Sequence, residues 1–308
     1  MKLLENFGWD SWSKSQNSIV IRHESLAELS QVHQDCFRRC LDPGERIYHI
    51  ITAPSLKVID RNKLALFRGS WTLTPEWRIV MTDQRVLIVT LKQDESQPQL
   101  VEICFEDVLS ITLGKNLLYS WVEWRWTQNK QVQEMRVFFN PDEERLFAMM
   151  IKDICRYRIE QAGLTAAGPV GRLHLLDVLP DIFKNLLTNR MLQEDEGVET
   201  VVFSSAAWTR RLGIFRRLES PAIALLRTNY HILVMREDYA TVGGKYGVVL
   251  KYFPLATVAD VLLDQQEDQA CIKLILQNQG IKDTVIYPIN LEDNLEGIRK
   301  LADFCHTG

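Results

Sequence analysis

Ten consecutive residues, Trp208-Thr209-Arg210-Arg211-Leu212-Gly213-Ile214-Phe215-Arg216-Arg217, carry four arginines and no acid. The planar fork of a guanidinium matches phosphate oxygens in pairs, and the apolar residues between the arginine pairs suit a tip that enters the headgroup boundary of a membrane. A second basic stretch lies earlier, where Lys57, Arg61, Lys63 and Arg68 surround Leu64, Leu66 and Phe67 with only Asp60 opposing. At about 1 kcal/mol per basic residue near an anionic surface, one such loop supplies about 4 kcal/mol, and two on one face roughly double that. The preferred reading is plainer: a solvated hairpin tip whose arginines pair with nearby acids or with a partner protein.

Other residue sets point to chemistry less well. His33, Cys36 and Cys40 fall three, four and seven apart, which brings an imidazole and two thiols to one helix face and suits zinc in softness. No fourth ligand accompanies them, and cysteine at such positions is usually a small buried hydrophobe, so no metal is expected. Trp124 and Trp126 alternate with Glu123 and Arg125, the pattern of a core-facing strand more than of a stacking platform. Gly243-Gly244-Lys245-Tyr246-Gly247 lacks the spacing and the following Ser or Thr of a phosphate loop and reads as a hairpin turn. Nucleophile elbows, His-Glu-x-x-His helices, dinucleotide glycines and paired Cys-x-x-Cys sites are all missing from the sequence. No catalytic residue and no cofactor is expected. The acidic pairs Glu143-Glu144 and Glu292-Asp293 are accounted for as first-turn helix acids.

The elements that must hold these residues follow from length and pattern. With 308 residues and 46% apolar content, the chain can bury two cores. Its 36 basic and 40 acidic residues leave a net charge of −4, so no global positive field marks a nucleic-acid binder and none is expected as partner. Six scattered cysteines fit a reducing compartment. Glu5 and Asp10 stand where a secretory signal needs an apolar stretch. A cytoplasmic protein is therefore expected, at most peripheral to a membrane.

The chain repeats itself. Met81-Thr82-Asp83-Gln84-Arg85-Val86-Leu87-Ile88-Val89 answers Arg227-Thr228-Asn229-Tyr230-His231-Ile232-Leu233-Val234, a hairpin pattern written twice. Cys104–Val108 answers Tyr252–Ala256, and Asn140-Pro141-Asp142-Glu143 answers Asn290-Leu291-Glu292-Asp293, at separations of 146, 148 and 150 residues. An opening helix is read from Leu26, Leu29, Val32 or His33, Cys36 and Cys40, ending at Asp42-Pro43-Gly44. A closing helix is capped by Asn140, with Leu146, Met150, Ile154 and Tyr157 along one face. Its counterpart is capped by Asn290, with Leu291, Leu295, Ile298, Ala302 and Cys305 buried. Period-two segments, Trp121–Thr127 and Cys271–Leu276 among them, give about seven strands per copy. GLTAAGPVGR, residues 163–172, reads as the link between the copies.

On these residues, Met81–Val89, Ile103–Val108 and the capped last helix above all, the chain resembles the pleckstrin-homology-like superfold, in particular its bacterial PH and GRAM-like families. The resemblance covers most of the chain twice, and departs where Pro254-Leu255 stands for Glu106-Asp107. It implies an α+β fold of two tandem barrels, each of about seven antiparallel strands capped by a C-terminal helix, with an extra N-terminal helix per repeat. The expected division is an N-terminal segment 1–22, a first domain 23–163 and a second domain 164–308, each curling its own strands round its own core. The loops of Lys57, Arg61, Lys63, Arg68 and of Arg210, Arg211, Phe215, Arg216, Arg217 then sit between the first two strands of each copy, where many eukaryotic PH domains hold phosphoinositide headgroups. Because the superfold serves many functions, the first expectation is a non-catalytic binding or scaffolding protein that associates with itself or with another protein. Peripheral binding to anionic lipid is the alternative, and an unrecognised enzyme a weaker third.

Overall fold

A computed structural model describes residues 20–60, 70–90, 98–115, 119–164, 173–192, 196–211, 215–238, 247–266, 269–289, 297 and 301. The architecture is β-rich and antiparallel, with few helices. After a short strand β1 (Ile21–His23) comes helix α1 (Gln31–Cys40), and then nine strands: β2 (Ile47–Ala53), β3 (Lys57–Asp60), β4 (Ser70–Leu73), β5 (Trp77–Thr82), β6 (Arg85–Thr90), β7 (Gln99–Cys104), β8 (Val108–Lys115), β9 (Ser120–Gln128) and β10 (Gln131–Phe139). Helix α2 (Glu144–Gln161) follows, and then helix α3 (Asp181–Leu186), continued by a wider turn at Leu187–Met191. The strand series now recurs as β11 (Val198–Ser204), β12 (Ala207–Arg211), β13 (Phe215–Ser220), β14 (Ile223–Thr228), β15 (His231–Asp238), β16 (Gly247–Pro254), β17 (Val258–Gln266), β18 (Gln269–Asn278) and β19 (Ile281–Ile289).

Among the described residues the strand series recurs strand by strand, β2–β10 as β11–β19. A single 3-10 turn stands between the sixth and seventh strand of each series, Phe105–Asp107 and Leu255–Thr257. The last hairpin of each is tied by two consecutive left-handed residues, Asn129 and Lys130 in one and Gln279 and Gly280 in the other. That geometry matches the natural twist of paired strands. Asn140 caps the turn leading into α2 by accepting from the Asp142 N–H at 3.1 Å, with Pro141 at the first position.

Three expectations need correction. Among the described residues each copy has nine strands, not about seven. Proline causes part of the split: Pro75 and Pro221 cannot donate to a ladder, and the chain breaks there between β4 and β5 and between β13 and β14. The short hairpins β3-β4 and β12-β13 accordingly form two-stranded sheets of their own. Further, no sheet closes on itself among the described residues, and strands do not pair only within their copy. One sheet has the order β1-β2-β5-β6-β7, a second β10-β9-β8-β16-β15-β14-β11, and a third β17-β18-β19. The link is β8 with β16, where Val248–Tyr252 pair with Lys115–Ile111. Finally, the 3-10 turns align Phe105 with Leu255, two residues beyond the register that matching Phe105 to Phe253 suggests.

The compact units therefore cross the copies. One comprises Met1–Phe105, Leu118–Trp121 and Arg136–Glu144, the other Glu106–Leu117, Val122–Met135 and Arg145–Gly308. In the first, α1 lays Phe37 on Ile50, Val80, Leu87 and Val89 of the five-stranded sheet, with Leu29 beside it. In the second, the seven-stranded sheet contributes Ile223, Leu225, Ile232, Val234 and Phe253, the three-stranded sheet Val261, Ile272, Leu274, Tyr287 and Ile289, and the two pack face to face with Leu301. Helix α2 buries a wider face than its expected stripe, because Phe147, Ile151, Cys155 and Ile159 join Met150 and Ile154. Trp124 and Trp126 are buried. No helix among the described residues is long and apolar enough to cross a membrane.

Candidate functional site

The basic stretches fall on the two small hairpins, which join the second and third strands of each nine-strand series, not the first two. Lys57 is exposed on β3, while Arg61, Lys63 and Arg68 lie outside the described residues. In the other hairpin Arg210 and Arg211 belong to β12, and Phe215, Arg216 and Arg217 to β13. Its register sets Arg210 opposite Arg216, Thr209 opposite Arg217 and Arg211 opposite Phe215. Like charges directly opposite one another weaken a two-stranded ladder. The register of β3-β4 has no such pair: Lys57 faces Leu73, Val58 Thr72, Ile59 Trp71 and Asp60 Ser70. The two hairpins, alike in composition, thus differ in where their charge falls.

Of the candidate metal set, His33 bonds Ser30 Oγ through Nδ1 at 2.6 Å, and Cys36 and Cys40 pack against the Phe37 core. Burial raises the Cys36 thiol pKa. The Gly243–Tyr246 turn, the 165–172 link and Asn290–Asp293 lie outside the described residues.

A polar corner missed in the sequence recurs in both copies. Thr82 Oγ1 donates to the Arg85 carbonyl and accepts from the Gln84 and Arg85 N–H groups. Thr228 does the same with His231 and Tyr230. The Asp83 carboxylate accepts from the Arg46 N–H at 3.2 Å, and the Asn229 side chain from the Gly197 N–H at 3.2 Å. The Phe105 N–H donates to the Gln84 carbonyl at 2.8 Å, and the Leu255 N–H to the Tyr230 carbonyl at 3.1 Å. On this shared frame each copy sets one buried glutamate, Glu45 or Glu196, beside the residue that opens the strand, Arg85 or His231.

In the first copy Arg85 clasps Glu45 with Nε at 2.9 Å and Nη2 at 2.7 Å. It also donates to Glu102, to Asp42 at 2.9 Å and to the Cys40 carbonyl at 2.8 Å. Burial pushes the Glu45 carboxyl up, but bonds from Arg85, Thr82 and the Asp42 N–H outweigh it and hold its pKa below the usual range. Glu45 in turn raises the pKa of Arg85. In the second copy His231 Nε2 stands 3.1 Å from Glu196 Oε1, and Lys152 of α2 reaches Glu196 Oε2 at 3.4 Å. Tyr252 takes the place of Glu102: its ring lies edge-on to His231 at 5.0 Å and its hydroxyl donates to Met191 Sδ at 3.4 Å. Burial depresses the pKa of His231 despite Glu196, and Lys152 adds to the effect. Nearby Cys155 is pushed well up by burial and by Glu196. The signal for this corner was available, since the 146-residue repeat already places Arg85 over His231. No protein-family model, no curated protein and no solved structure matches the chain.

Proposed function

We propose that the chain is a non-catalytic binding protein whose two copies are of the PH-like kind, and that the β12-β13 hairpin attaches it to an anionic lipid surface. The observation that carries this reading is the register of Arg210 opposite Arg216. Two cations facing each other across a ladder cost stability in the free protein and are relieved when anionic headgroups lie against them. Four arginines supply about 4 kcal/mol and each tip residue buried among acyl chains about 1.5 to 3 kcal/mol, together enough for reversible attachment. The PH-like assignment draws support from the twice-written strand order and the capped helix after the ninth strand.

Association with a partner protein is the second reading, and a different surface favours it. Leu262, Lys273 and Ile286 form one cross-strand row on β17-β18-β19, with Leu262 38% and Ile286 54% exposed. β19 ends its sheet and among the described residues pairs only with β18, so it can take an added extended segment.

Sedimentation of the full chain with vesicles, neutral or containing phosphatidylserine, tests the lipid reading. Binding is expected only to the anionic vesicles, falling with salt and lost in Arg210→Glu/Arg216→Glu. Equal binding to both vesicle types, or none to either, overturns it and leaves the β19 surface as the functional one.

A further inference from the structure

Inside the second compact unit, the sandwich between the seven- and three-stranded sheets is apolar at Phe253 and polar beyond it. Lys251 lies on β16 two residues from Phe253, on the same face, with its Nζ 5.3 Å from the centre of that ring. Among the described residues no carboxylate stands within ion-pair distance of this ammonium. Burial lowers its pKa to about 8. Arg125 and Arg236 push the same way, while Glu123 and Asp283 push against them. One pair among these groups is already made: Arg125 Nη2 meets Asp283 Oδ2 at 3.0 Å, from β9 across to β19.

Facing them is Tyr287 on β19, only 7% exposed, its ring edge-on to Phe253 with centroids 6.5 Å apart. Its hydroxyl has no hydrogen-bond partner. Burial raises the phenol pKa, while the charges of Arg236 and Arg125 act to lower it. Native interiors rarely leave a buried hydroxyl unpaired or a desolvated ammonium without a counter-charge, since each omission costs stability. Here both lie against the one Phe253 ring. A single negatively charged acceptor satisfies both.

We propose that this polar end of the interior is a binding site for one oxyanion, a carboxylate or phosphate group, bound by Lys251 and the Tyr287 hydroxyl. The site is separate from the arginine hairpin and stands without it. Its apolar neighbour Phe253 suits the first carbons of a tail, so two sources of the anion are distinguishable: a free inorganic ion or the head of a small amphipathic acid.

Calorimetric titration of the full chain with inorganic phosphate, acetate and octanoate tests the proposal. Saturable one-to-one binding of phosphate or of octanoate is expected, with Kd below about 1 mM. Octanoate well above acetate in affinity identifies an amphipathic acid, and phosphate alone identifies the inorganic ion. Lys251→Met and the conservative Tyr287→Phe are each expected to weaken binding about tenfold or more. Affinity should fall as pH rises above about 8, where the ammonium loses its proton. Failure of all three anions to bind, or undiminished binding in Tyr287→Phe, overturns the proposal.

Discussion

In the first copy Glu45 is answered by Arg85, a side chain long enough to take in Glu102, Asp42 and the Cys40 carbonyl with the same guanidinium. In the second, the equivalent Glu196 meets a histidine too short for that reach and draws its cation, Lys152, from α2. The backbone frame is common to both, down to the threonine hydroxyl and the Asp83 or Asn229 acceptor. What differs is titration. A guanidinium keeps its charge at every accessible pH, whereas a buried imidazole is neutral until acid forces a proton on it. One frame thus yields a pH-insensitive clasp and a pH-sensitive one.

The sharpest way to break this comparison is to remove the cation from each corner. Arg85→Met leaves Glu45 buried with no counter-charge, and urea unfolding is expected to show a loss of about 3–5 kcal/mol. Lys152→Met leaves Glu196 with His231, which can take up a proton once Lys152 no longer opposes it, and should cost clearly less. Equal losses would show that the two corners carry the same load.

Acid titration of stability comes next. His231 has a lowered pKa in the folded chain, so below 6.5 the unfolded chain binds a proton that the folded one does not, and stability falls with pH there. His33 and His49 are lowered by burial too and act in the same direction. His231→Gln should therefore flatten part of the decline between pH 6.5 and 5, measured by thermal melts. The Glu45 contribution has the other sign of shift: it is intact above 4.5 and lost only as pH falls through the lowered value.

The smallest effect belongs to the last hairpins. Lys130 adopts φ 59° where the second copy has Gly280 at φ 79°. A left-handed lysine costs about 1 kcal/mol that glycine avoids, less the entropy glycine loses on folding. Lys130→Gly should raise the melting temperature slightly and Gly280→Lys lower it by a similar amount.

Much of this was legible before any coordinates. The doubled hairpin pattern at Met81–Val89 and Arg227–Val234, the Asn140 cap, the first opening helix and the burial of Trp124 and Trp126 follow from local chemistry: a polar break between apolar runs, a proline at a helix start, alternation along a strand. Pairing between distant strands does not. Period two tells which face of β8 or β16 is apolar but not which strand lies beside it, so the β8-β16 ladder left no trace. Matching aromatic to aromatic at Phe105 and Phe253 misled the register, because the backbone bond from Leu255 to Tyr230, not the ring, marks the equivalent turn. Glu45 follows Asp42-Pro43-Gly44 in the chain, but its partner is 40 residues on. On the β12-β13 hairpin the residue types were readable, but the facing of Arg210 and Arg216 needed the ladder itself.

The ladder between β8 and β16 also makes the doubling irreversible. A fragment beginning after the 163–172 link would carry β16 with its Val248–Tyr252 flank bare, and bare flanks recruit whatever strand is at hand. What began as two copies of one text now reads as a single sentence, and neither half inherits a complete set of neighbours.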